Sequence, residues 1–110
     1  MRVEEKGHTT IIKDTQGDST AFLAKVTNEY KSFENRNLIL DVSSNTDITM
    51  ENLIGFEPLS KKHKKNKKSF VLVAPDSDFN SIPASIIVVP SLLEAHDIIE
   101  MDEIERDLGF

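Results

Sequence analysis

The apolar positions follow two periodicities, one for strands and one for helices. Thr9-Thr10-Ile11-Ile12 is β-branched throughout and predicts a pleated strand within the extended segment Val3 to Lys13. Gly7-His8 predicts a turn or bulge that splits this segment into two short runs, and Asp14 to Asp18 reads as a turn pivoting on Gly17. Phe22, Leu23, Val26, Tyr30 and Phe33 then recur at spacings of 1, 3, 4 and 3, which is one helical face. Ser19 or Thr20 is expected to cap this helix, and Glu34-Asn35-Arg36-Asn37 to end it. Leu38-Ile39-Leu40-Asp41-Val42-Ser43 is nearly continuous in apolar residues, as in strands buried on both faces.

A second helix is expected to start near Asp47 to Thr49. Met50, Leu53, Phe56 and Leu59 form its inner face, with His63 next in the series. Pro58 has no N–H to donate, so this helix kinks or begins close by. Phe70–Ala74 and Ile86–Val89 predict two further buried strands. Between them lies a loop, Pro75 to Pro83, anchored by Phe79 and Ile82, and Pro90 ends the last strand. Ser91 and Glu94 have the spacing of a capping box. They open a final helix that runs to about Ile99 and then continues or gives way to a second short helix. Strands alternating with helices predict an α/β fold with a mixed, largely parallel sheet of four to five strands and three main helices.

The 110 residues fit one domain, 1–110, with an acidic helical segment at 91–110. The formal net charge is −6. It is concentrated in residues 91–110, which hold seven acids and one base, while the remaining residues balance. Six of the bases fall between Lys61 and Lys68. Cysteine is absent, so no disulfide or thiolate metal site is expected. The first residues carry no apolar segment of the signal-peptide kind, and no run is long and apolar enough to span a bilayer. A cytoplasmic location and no membrane partner are the expectations.

Candidate chemistry is sparse. The four glycines are isolated, so no phosphate-cradling loop is formed, and no nucleophile motif occurs. His8, His63 and His96 stand in different elements, and each is expected to face solvent rather than bind a metal. Asp41 ends a buried strand, where α/β active sites gather, but is expected to fix the turn that follows it. No enzyme activity, cofactor or metal is expected. The run Lys61, Lys62, Lys64, Lys65, Lys67, Lys68 is a candidate anion or partner patch. It has no interleaved aromatic or arginine side chains for stacking or bidentate contacts, which weakens a nucleic-acid reading. Thr49 is expected to cap the second helix, with phosphorylation as its second reading.

In element order the chain resembles a STAS domain, the fold of anti-sigma factor antagonists. Leu38–Ser43 resembles the family's central strand, Ser44 to Glu51 the loop and helix that follow, Phe70–Ala74 the next strand, and Pro90-Ser91-Leu92-Leu93-Glu94-Ala95 the entry to the last helix. The segment between the last two strands is shorter than the family's. The regulatory serine of the family would fall at about Met50, so its phospho-switch is absent, and Glu51 already places a fixed charge there. The resemblance implies a regulatory protein-interaction module, a monomer or weak homodimer, bound to an anti-sigma factor, kinase-like or other regulator. It places partner binding at Asn45 to Asn52, chiefly Asp47, Thr49, Met50 and Glu51. The alternative is a nucleic-acid-associated accessory protein, such as a small partner of an RNA-processing enzyme, using Lys61–Lys68.

Overall fold

The structure, a computed structural model, describes residues 1–74 and 82–109. Five strands, β1 (Arg2–Lys6), β2 (Thr9–Lys13), β3 (Asn37–Asp41), β4 (Phe70–Val73) and β5 (Ile87–Val89), form one sheet in sequence order. β1 pairs antiparallel with β2, and the other three pairings are parallel. The β1–β2 hairpin turns at Gly7-His8, where Gly7 adopts φ +59°, a backbone region that glycine enters without a Cβ clash. The mixed, largely parallel sheet is the one expected.

Among the described residues, four α-helices accompany the sheet: α1 (Ser19–Asn28), α2 (Met50–Ile54), α3 (Glu57–Lys65) and α4 (Leu92–Asp107). The second expected helix is thus two short ones. Pro58 sits in the first turn of α3, where its missing N–H costs nothing, so the helix begins there rather than kinks. Successive parallel connections step the same way along the sheet, so crossovers of one hand leave their helices on one face. Side chains from α1, α2 and α3 accordingly share one buried cluster with Ile12, Leu38, Leu40, Phe70 and Leu72. The alternate strand residues Ile11, Ile39, Val71 and Val73 meet Ala95 and Ile99 of α4 on the other face.

Three expectations need correction. Asp18, not Ser19 or Thr20, caps α1, its carboxylate accepting from the Ala21 N–H at 3.1 Å, while Ser19 is buried. α1 also stops at Asn28, after two weak helix formers, Thr27 and Asn28. A 3₁₀ turn, Tyr30–Ser32, then carries Tyr30 into the core, and Phe33 follows it there. Finally, β5 is half-exposed rather than buried, because it is an edge strand with a single neighbour among the described residues. The last helix is continuous through Asp107. Ile82 packs against the larger cluster; Phe79, its expected companion, lies outside the described residues.

Candidate functional site

β3 is the central strand and is buried along its whole length, so the loop at its C-terminal end starts from a fixed point. The Asp41 carboxylate folds back to accept from the Ser43 N–H at 3.0 Å and from the Ser43 hydroxyl. This is the turn-fixing role expected for it. The Ser44 hydroxyl donates to the Asp14 carbonyl at 2.6 Å, tying this loop to the one after β2. One oxygen of the buried Asp14 carboxylate accepts from the Gln16 N–H at 2.9 Å, and the other has no hydrogen-bond partner among the described residues.

The loop then delivers α2. Thr49 is its N-cap: the hydroxyl accepts from the Asn52 N–H at 3.2 Å, and the Asn52 side-chain oxygen accepts from the Thr49 N–H at 3.0 Å. Both bonds of a capping box are therefore present, with asparagine in the third position. Ile48 before the cap and Leu53 after it enter the same apolar cluster, at the spacing of a hydrophobic staple. Anchored inside and capped outside, the turn leaves Asp47, Thr49 and Glu51 exposed and Met50 half-exposed. The four residues singled out from the sequence thus share one surface.

The lysine run lies at the other end of the strands, since α3 runs back from the C-terminal edge of β3 towards the start of β4. It is not one flat patch. Lys61 pairs with Glu57 at 2.9 Å, Lys62 stands 4.9 Å over the Tyr30 ring, and Lys64 donates to the Ser85 carbonyl at 2.9 Å. Lys67 takes a left-handed conformation, φ +60°, in the turn that ends α3. Lys68 leaves this group and joins Asn37, Glu103 and Arg106 around a small polar pocket.

His63 overturns the expectation that each histidine faces solvent. It is fully buried. Its Nε2 lies 2.7 Å from the Arg36 carbonyl, which can only accept, so Nε2 carries the proton. Nδ1 therefore accepts from the Tyr30 hydroxyl at 2.7 Å, and that hydroxyl accepts in turn from the Asn66 amide at 3.1 Å. Burial, assisted by the nearby Lys68, lowers the His63 pKa and keeps the ring neutral, whereas the bond to Arg36 acts the other way. Burial also raises the Tyr30 pKa, so the phenol stays a donor. The Arg36 guanidinium extends the network, donating to the Thr10 hydroxyl at 2.7 Å and to the Gly7 carbonyl at 2.7 Å. The signal for His63 was its place in the inner-face series after Leu59.

A second polar network escaped the sequence reading. Asn37 and Ser69, both buried, open β3 and precede β4. Asn37 donates to Glu103 at 2.8 Å, Ser69 donates to Asp102 at 2.7 Å, and Arg106 reaches both Asn37 and Ser69 at 3.3 Å. Three charged residues of the acidic segment therefore clamp α4 to the sheet. Beside this clamp, an open groove of 510 Å³ between the β1–β2 turn and α4 brings His8, His96, Glu100 and Glu103 together. His8 is exposed, 3.6 Å from Glu103. His96 is half-buried, and burial followed by the charge of Lys6 lowers its pKa.

Among the described residues no group of three or more His, Asp or Glu side chains is placed to hold a metal ion, and no helix is long and apolar enough to cross a membrane. No family model matches the chain, and no curated protein matches its sequence.

Proposed function

We propose that the chain is a non-enzymatic regulatory module of the cytoplasm, resembling anti-sigma factor antagonists of the STAS family, which binds a protein partner through the turn that opens α2. The observation that carries this reading is the exposed turn 47–51, fastened by the complete capping box of Thr49 and Asn52. Preorganisation of this kind lowers the ordering cost of binding. The sheet order, with an antiparallel first strand and three parallel pairings, supports the same reading. Asp47 and Glu51 supply fixed negative charge, and Met50 supplies an adaptable apolar contact. Met50 stands where the family's regulatory serine would fall, so the module works without that switch.

The lysine run supports a nucleic-acid role less well, because Lys61, Lys62 and Lys64 have partners within the fold. The test is affinity capture from lysate with the wild type beside a variant in which Asp47, Thr49 and Glu51 are all replaced by alanine. A partner held by the wild type and lost by the folded variant is expected. Capture that is unchanged in the variant overturns the site. RNA or DNA retention that falls steeply with salt and vanishes when the six lysines become glutamine would move the function to the run. Intact mass of protein from its native host tests Thr49 phosphorylation.

A further inference from the structure

α4 is apolar on two opposite sides. Its inner side buries Ala95 and Ile99 against the sheet. On its outer side Leu93, Met101, Ile104 and Leu108 are 73%, 61%, 54% and 66% exposed. At the helical repeat these four fall within an arc of about 80° and run for about 22 Å along the axis. Asp97 lies in the same arc, and Glu94, Glu100, Glu105 and Asp107 flank it. None of these five acids forms an ion pair among the described residues. The acids that hold α4 to the sheet are two others, Asp102 and Glu103. Glu94 also accepts from the Ser91 hydroxyl at 3.2 Å in the cap of α4, whereas the stripe and the other four acids of its border are spare to the fold.

We propose that the outer face of α4 is a docking surface for a basic amphipathic helix of another protein. Its apolar ridge lies along Leu93, Met101, Ile104 and Leu108, and its lysine or arginine flanks meet Asp97, Glu100 and Glu105. Charge selects this occupant. A second copy packed symmetrically would set the same five carboxylates against themselves, which costs affinity. A second copy offering its lysine run would satisfy the charge alone, because the segment Lys61 to Lys68 contains no aliphatic hydrophobic residue to cover the stripe. An anionic lipid surface is repelled by the acidic border. Only a partner with both an apolar ridge and positive flanks meets both features.

The probe is a synthetic helical peptide of about 16 residues with leucines along one side and lysines beside them, and its control replaces the lysines with glutamates. Amide shifts on titration should map to the outer face of α4, and affinity should fall about tenfold or more at high salt. Met101→Glu and Ile104→Glu should each weaken binding about tenfold while leaving the melting temperature unchanged, since both side chains are exposed. Thr49→Ala should bind the peptide like the wild type, which separates this surface from the α2 turn. Absence of saturable binding, equal binding of the glutamate control, or shifts elsewhere on the molecule would overturn the proposal. So would a concentration-dependent dimer that Ile104→Glu dissolves.

Discussion

The two faces of the sheet are closed by different means. Among the described residues, the face under α1, α2 and α3 gathers sixteen buried apolar or aromatic side chains into one cluster, and polar groups enter it mainly as the His63 network. The face under α4 gathers six of the described residues, and polar bonds at its far end complete the attachment. Three helical segments can tile a face with apolar area, whereas a single helix covers a strip and needs directional bonds to set its position. The first arrangement supplies most of the hydrophobic stability, and the second supplies alignment. The division also separates the outer surfaces. The capped turn of α2 belongs to the first side, and the exposed stripe of α4 to the second.

Truncating one core side chain on each face tests this division directly. Phe56→Ala should cost about 4 kcal/mol by chemical denaturation, because a fully buried aromatic leaves a cavity among three helices. Ile99→Ala on the other face should cost about 2 kcal/mol, near the low end for such truncations, because its cluster is smaller and can relax. An equal or larger loss at Ile99 would show that the face under α4 contributes as much hydrophobic stability as the other.

The clamp should show a smaller, local effect. Arg106→Ala should cost about 1–2 kcal/mol. It should speed amide exchange in the last turns of α4 while leaving β3 protected. Uniform acceleration across the sheet would show that the clamp supports the whole fold.

The His63 network should appear as a pH dependence. The ring is neutral when folded and its pKa is lowered, so the unfolded chain takes up the proton first as pH falls. Its contribution is complete above the ordinary value of 6.5 and declines below it. The melting temperature should therefore fall from about pH 7.5 to about pH 5.5, with His96 adding a change of the same sign. His63→Gln should flatten this slope, and an equally steep variant would remove His63 as its source. Tyr30→Phe should cost about 1 kcal/mol by leaving Nδ1 unpaired.

Thr49→Ala should have a comparably mild effect, about 1 kcal/mol, through loss of the α2 cap, with Thr49→Asp close to neutral. Near-total unfolding of the alanine variant would mean that the turn supports the core rather than merely presenting a surface.

Much of the fold was legible because its elements carry strong local signals. Leu38–Val42 reads as a strand from its run of apolar residues, and Thr49 and Ser91 mark helix starts by their hydroxyls. The grouping of Asp47, Thr49, Met50 and Glu51 was legible too, since four residues spaced within five positions cannot be far apart. His63 was harder. Its place in the apolar series pointed inward while its polarity pointed outward, and only the partners waiting at Tyr30 and Arg36 decide between them. Asn37 and Ser69 gave no local signal, because their partners lie on a helix more than thirty residues away.

Local periodicity determined the kind and order of the elements, since alternation and helical spacing are properties of neighbouring residues. It could not say how many sides of an element would be covered. Ile86–Val89 and Leu38–Val42 read alike, yet β5 became a half-exposed edge and β3 the buried centre, because burial depends on which strands lie alongside. The same holds for α4. Its apolar residues are spread round the helix, and tertiary packing turned Ile99 inward and left Leu93, Met101, Ile104 and Leu108 facing out. A helix lying on one sheet can bury only one of its sides.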